Sequence, residues 1–139
     1  MLHTDKQVLL LERAPYPGYW QSVTGSLEAG EQPLIAVQRE VAEETGIEVA
    51  MQDIVDWRVS NRFPILDQWK HRYAPGVTHN TEHVFSIELA QPSWVRIARG
   101  EHRAWQWISP QKAAALCFSW SNRDAIRMIT LKQDNHHDY

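Results

Sequence analysis

The stretch from Gly25 to Ile47 constrains this chain more than any other. Its second half predicts a helix over about Gln32 to Thr45. Pro33 suits the first helical turn, where its missing N–H would have no helical partner in any case. Gly46 suits the position just past the helix end, where the backbone turns left-handed. Leu34, Val37 and Val41 recur at i, i+3, i+7 and mark a core-facing stripe. On the same helix Glu40, Glu43 and Glu44 stand at i, i+3, i+4, so their carboxylates share one side. Neighbouring anions repel one another and weaken a helix. A solvated acidic face would account for Glu43 and Glu44 alone, but not for the wider pattern. Carboxylate oxygens are the hard ligands that Mg²⁺ or Mn²⁺ prefers. Mg²⁺ takes few protein carboxylates and completes its shell with water and substrate phosphates, so this face reads as a metal–phosphate platform. Arg39 and Glu31 are expected to pair and brace the loop against the helix. Gly25 and Gly46 supply backbone freedom at its two ends.

Around this stretch the chain reads as one domain over its 139 residues, without repeats, low-complexity segments or flexible linkers. Val8 to Leu11 is a short apolar run consistent with a buried strand. Trp20 to Thr24 reads as a second strand, closed by Gly25. Ile47 to Val59 is rich in β-branched residues and predicts one or two strands. Asn61 to Val77 carries Pro64, Pro75 and Gly76 and reads as irregular. Thr81 to Leu89 and Trp105 to Ile108 predict further strands. Ser109 and Pro110 open a short helix through Leu116. Ser121-Asn122-Arg123-Asp124 fits a capping box opening a last helix toward Leu131. The polar tail from Asp134 to Tyr139 is expected to fray. Strands and helices interleave without a regular βαβ beat, which favours a mixed sheet with helices packed on it.

Composition removes several classes of function. The net charge of −3 supplies no basic footprint for nucleic acid, and a polyanionic ligand would need cations brought to it. A single Cys excludes an intramolecular disulfide and any multi-Cys metal site. A reducing, cytoplasmic compartment is the simplest home. No secretory signal opens the chain, and no apolar run approaches the roughly 20 residues that span a bilayer, so no membrane role is expected. The 7 Trp offer aromatic walls for a flat ligand. Trp20, Trp57, Trp69 and Trp120 are the candidates, although Trp is first of all a core residue. His71, His79 and His83 lack HExxH spacing and read as surface or core residues. Cys117 reads as a packed thiol.

Seven fixed positions, each roughly one in fifteen to twenty by average usage, would coincide about once in 10⁸–10⁹ starting points, so chance does not explain the pattern. Gly25, Glu31, Arg39, Glu40, Val41, Glu43, Glu44, Gly46 and Ile47 occupy every defined position of the Nudix box, and the chain resembles the Nudix hydrolases. The resemblance implies an α/β fold, an α/β/α sandwich around a mixed sheet, with the box forming loop–helix–loop. It implies hydrolysis of a nucleoside diphosphate linked to another group, with Mg²⁺, or Mn²⁺ as a substitute, on Glu40 and Glu44. Glu43 is either a further ligand or the group that positions or deprotonates water. Glu40 and Glu43 are therefore the candidate catalytic pair.

A narrower resemblance spans most of the chain. It rests on Tyr19 to Ser26, His71 to Thr78, Asn80-Thr81-Glu82, Glu101-His102, Ala104 to Trp107 and Ser119 to Arg123. These segments are similar to folate-pathway members of the family. The likeness implies a small-molecule triphosphate substrate, dihydroneopterin triphosphate, cleaved at the α-phosphorus to the monophosphate and pyrophosphate. It implies Glu101 as a metal ligand outside the box and Arg13 as a phosphate contact. Thr24 would meet pterin or phosphate, Phe63, Pro64, Ile65 and Leu66 would form a substrate loop, and Ser119 would touch ligand. The alternatives are a broader diphosphatase of dATP-like or oxidised nucleoside triphosphates, or a silent Nudix module that binds a nucleotide or partner. Retention of Glu31, Glu40, Glu43 and Glu44 argues against silence. The usual first strand of the family is expected to be missing, because residues 1–6 are not strand-like, and a misassigned or truncated start would expose a sheet edge. The sequence sets no oligomeric state.

Overall fold

The computed structural model describes residues 1–23, 32–64, 76 and 79–137. Its elements are β1 (Leu2–His3), β2 (Val8–Arg13), β3 (Trp20–Gln21), α1 (Pro33–Thr45), β4 (Ile54–Pro64), β5 (His79–Glu88), β6 (His102–Ile108), α2 (Pro110–Leu116) and α3 (Trp120–His137). Four consecutive apolar residues in β2 make sense only for a strand covered on both faces. Val8 and Leu10 enter a core with Ala113, Ala114, Ala125, Ile126 and Ile129 of α2 and α3. Leu9 and Leu11 enter a second core with Val41 of α1, Val49, Ile54, Ile87 and Val95. The result is the expected sandwich, with α1 on one face of the sheet and α2 and α3 on the other.

The sheet runs β3-β2-β1-β5-β4, with β6 also paired to β2. Leu11 pairs with both Gln21 and Trp105, so β3 and β6 lie on opposite edges of β2. β1 is antiparallel to β2 and parallel to β5, which makes the sheet mixed. This corrects the expectation of a missing first strand. Leu2 and His3 pair with Ile87 and Glu88 and join β2 to β5. Both are buried, and the amino group of Met1 donates to the Phe85 carbonyl at 2.9 Å. A strand of two residues has no period to read, so its tertiary pairing alone defines it.

Other boundaries shift for local reasons. Residues 47–50 precede a 3-10 turn at Met51–Asp53, and the strand begins only at Ile54. It then continues through Pro64, four residues into the segment read as irregular, paired with β5 as far as Pro64↔His79. Ser109 caps α2 as expected, accepting from the Lys112 N–H at 3.4 Å. α3 opens at Trp120 rather than after Ser121, because the Ser119 hydroxyl takes the capping role and accepts from the Asn122 N–H at 3.4 Å. The helix runs on to His137, beyond the Leu131 expected for its end. Cys117 packs against the α2–α3 core, and burial pushes its thiol up to about 12, as expected of a packed thiol.

His3 gives the fold a pH dependence. Its Nδ1 lies 3.0 Å from the Thr4 carbonyl oxygen, and burial lowers its pKa from the ordinary 6.5 against the opposing effects of that bond and of Glu88. The folded state therefore favours the neutral ring. That stabilisation is complete above about pH 6.5 and is lost as pH falls through the lowered folded value. Thermal unfolding between pH 7.5 and 5 should show a shallower fall in Tm for His3→Gln than for the parent. Buried His102, lowered in the same direction, keeps the remaining slope above zero. Parallel curves for parent and variant would remove His3 from this account.

Candidate active site

Helix α1 builds one wall of the site. Pro33 stands in its first turn, and Gly46 ends it at φ 73° with its N–H on the Ala42 carbonyl at 2.9 Å. A Cβ on Gly46 would meet the Arg96 Cβ at 3.2 Å, because the following loop crosses here with the Arg96 N–H on the Thr45 carbonyl. Val41 anchors the helix in the core, while Leu34, expected on the same stripe, is 37% exposed in the first turn.

The box glutamates are graded by depth. The residue Glu44 is 7% exposed, whereas the side chains of Glu40 and Glu43 are 19% and 58% exposed. Arg39 lies between the outer two, with Nη1 2.9 Å from Glu40 Oε1 and 3.2 Å from Glu43 Oε2. Glu31, its expected partner, lies outside the described residues, as do Thr24 and Gly25. Burial raises the Glu40 pKa above its ordinary value. The Arg39 bond and charge oppose that shift, and the charges of Glu43 and Glu101 reinforce it.

The second wall is the end of β2 against the start of β6. Glu12 pairs with Ala104 but Arg13 pairs with His102, so Arg103 is an extra residue, a β-bulge. Alternation along β2 puts Arg13 on the face of Leu9 and Leu11, which is the α1 side. Its register partner His102 shares that face. Glu12 points the other way, held by the Gly18 N–H at 2.8 Å and by Arg103 at 3.4 Å. Just before the bulge, the Glu101 carbonyl accepts from the Ala14 N–H at 2.9 Å. The charge of Glu101 is felt by Glu40 and by His102, and that of Arg13 by His102. Arg13, Glu101 and the box helix, far apart in sequence, thus share one neighbourhood. The guanidinium of Arg13 also lies 5.9 Å from the centre of the Tyr16 ring.

His102 is the residue that the sequence reading passed over. Burial lowers its pKa, and its Nδ1 has no hydrogen-bond partner among the described residues. Its signal was its place beside Glu101, but the bulge that turns it toward α1 has no sequence signature. Ser119 sits at the head of α3, its hydroxyl 2.8 Å from that of Ser121. Phe63 and Pro64, expected in a loop, are the last residues of β4, and Ile65 and Leu66 lie outside the described residues. Of the candidate aromatic walls, Trp20 and Trp57 pack against the α2–α3 core, Trp120 is 45% exposed, and Trp69 is outside the described residues.

Among the described residues no group of three acidic, His or Cys side chains is gathered closely enough to hold an ion. The chemistry of the donors nonetheless suits a hard divalent cation. They are carboxylates, two of them largely buried, and Glu40 is harder to ionise because of its burial, with the charges of Glu43 and Glu101 adding to the effect. No helix among the described residues is long and apolar enough to cross a membrane.

Comparison with known proteins agrees with this architecture. A model of the NUDIX domain matches residues 1–129. The dihydroneopterin triphosphate diphosphatase of Escherichia coli K12 is 45% identical over 128 residues, covering 91% of this chain and 84% of that protein. The Haemophilus influenzae protein of the same name is 33% identical over 123 residues, covering 87% and 77%. The solved structure of the E. coli dihydroneopterin triphosphate pyrophosphohydrolase superposes with a TM-score of 0.87 at 41% identity, covering 94% of this chain and 91% of that one. A Nudix hydrolase structure from Listeria monocytogenes, 22% identical, shares the fold with a TM-score of 0.76. The acidic helix, the mixed sheet and the extent of these matches lead to one conclusion: this chain belongs to the Nudix family of metal-dependent hydrolases.

Proposed function

We propose that this chain hydrolyses dihydroneopterin triphosphate to dihydroneopterin monophosphate and pyrophosphate, a step of folate biosynthesis in the cytoplasm. The observation that carries this reading is the 45% identity to an enzyme of that name across 91% of the chain. Glu40, Glu44 and Glu101 are the residues that would hold Mg²⁺, with Mn²⁺ as a substitute. When bound, the metal supplies charge neutralisation for the phosphates and a more acidic attacking water. Arg13 binds a phosphate and stabilises charge that develops during transfer. Glu43, the most exposed of the described box glutamates, orients or deprotonates the attacking water. Arg39 restrains Glu40 and Glu43. Thr24, Ser119 and residues 63–66 would contact the substrate, Gly25 and Gly46 would supply backbone freedom at the ends of the box, and Glu31 would pair with Arg39. Attack at the α-phosphorus leaves the pterin on the monophosphate and releases pyrophosphate.

The test is turnover with Mg²⁺ on dihydroneopterin triphosphate, dATP and GTP, with products read by phosphorus NMR. Pyrophosphate from the pterin substrate, at a kcat/KM at least about tenfold above the purines, is the expected result, a margin of roughly 1.4 kcal/mol in transition-state binding. Comparable rates on all three would replace the pterin enzyme with a broad nucleoside triphosphate diphosphatase. No turnover on any would leave a binding module.

A further inference from the structure

The motif Ser119-Trp120-Ser121-Asn122-Arg123 is only partly explained by a ligand contact at Ser119. Asn122, in the first turn of α3, is 3% exposed, and Ser22, 100 residues earlier, is 5% exposed. The Ser22 backbone N–H donates to Asn122 Oδ1 at 2.8 Å, and the Ser22 hydroxyl donates to the same oxygen at 2.6 Å. A backbone N–H can only donate, so the atom facing it must be the amide oxygen. Both lone pairs of that oxygen are then used. The Asn122 N–H in turn meets the Ser119 hydroxyl at 3.4 Å. One buried residue, through its side-chain oxygen and its backbone N–H, therefore ties the head of α3 and Ser119 to the chain at Ser22.

The position of Ser22 gives this tie its importance. The ladder between β2 and β3 ends at Leu11↔Gln21. Ser22 is the next residue, and Thr24 and the Gly25 start of the box follow within three more. Where the chain leaves the sheet toward the box, the Asn122 oxygen takes over from the ladder.

We propose that Asn122 is a positioning residue for hydrolysis, acting through Ser22 to set where the box departs from the sheet. The inference rests on the reading of the box as the hydrolytic site. Misplacing reacting groups by about 1 Å can cost on the order of 100-fold in rate. Asn122→Ala removes the acceptor and should lower kcat about 30-fold with KM within about threefold. Asn122→Asp offers a carboxylate oxygen to both donors, and its charge is favoured in the first turn of a helix, so kcat should return to within about threefold of the parent. Ser22→Ala deletes the hydroxyl bond alone and should lower kcat about fivefold.

Amide hydrogen exchange supplies a readout independent of turnover. The Ser22 amide should exchange about 100-fold faster in Asn122→Ala and at the parent rate in Asn122→Asp, with Leu10 and Leu11 unchanged in both. Equal acceleration at Ser22, Leu10 and Leu11 would mark a general loss of stability and overturn the proposal. Ala and Asp variants that fall alike, or an Ala variant with unchanged kcat, would also overturn it. If Asn122→Ala does not fold, Ser22→Ala decides, and an unchanged kcat there counts against the proposal. A parent chain inactive on the pterin substrate would remove that substrate instead, and Asn122 would then be judged on any triphosphate the chain does cleave and on the Ser22 exchange pattern.

Discussion

Glu44→Gln should lower kcat about a thousandfold at saturating Mg²⁺ while leaving the fold intact. A bound metal stabilises phosphoryl transfer by several kcal/mol, and about 4 kcal/mol corresponds to roughly 10³ in rate. Glu44 is the deepest of the described box carboxylates, at 7% exposure, and burial makes a charge there costly unless a cation or donor compensates it. Gln keeps the shape and one carbonyl acceptor but gives up the charge. Without metal, Tm should therefore move by no more than about 4 °C, the shift expected for roughly 1 kcal/mol in a domain of this size. The two measurements are single-substrate kinetics across a Mg²⁺ titration and thermal unfolding in chelator. Activity lost only in proportion to folded protein would end the ligand role of Glu44, as would a kcat within tenfold of the parent.

The grading of the glutamates also explains how α1 folds with so much negative charge on one side. Repulsion among Glu40, Glu43 and Glu44 raised the question of what compensates it. For the outer two the structure supplies Arg39, which sits one residue before Glu40 and at i, i+4 to Glu43. Of the two pairs, the exposed i, i+4 one with Glu43 contributes only about 0.2–0.5 kcal/mol. They offset part of the repulsion and steer two carboxylates, while core packing of Val41 holds the helix on the sheet.

What could be read in advance followed from whether the physics was local. Helix α1 announced itself through Pro33, Gly46 and apolar spacing, and α2 through Ser109 and Pro110, because caps and propensities act within a few residues. β2 was legible because four apolar residues in a row need cover on both faces. β1 was not, because Leu2 and His3 are a strand only by virtue of Ile87 and Glu88. Ser121 was the expected cap of α3, and the approach of the chain to β3, with the Phe118 N–H on the Trp20 carbonyl, accompanies the shift of that role to Ser119. For the site, the box showed which carboxylates matter but not their depth. The bulge at Arg103 and the Ser22–Asn122 tie are long-range pairings without a local pattern.

Glu101→Gln should raise the Mg²⁺ concentration for half-maximal activity by about 10- to 100-fold, the range seen when even the supporting shell of a metal site is disturbed. Glu101 is exposed, in the turn before β6, and its backbone is fixed by the bond from Ala14 and by its own N–H on the Ala98 carbonyl. Substitution of the side chain leaves both bonds in place, so Tm should hold. Glu40 provides an internal check, because the charge of Glu101 helps to raise its pKa. Without that charge Glu40 ionises more readily, and the acid limb of the pH–activity profile should move to lower pH. Two opposite-looking changes are thus expected together, weaker metal binding and an easier acid limb. A surface Glu outside the site would produce neither. An unchanged Mg²⁺ profile with an unchanged acid limb would leave Glu40, Glu43 and Glu44 to hold the metal without help from the β6 side.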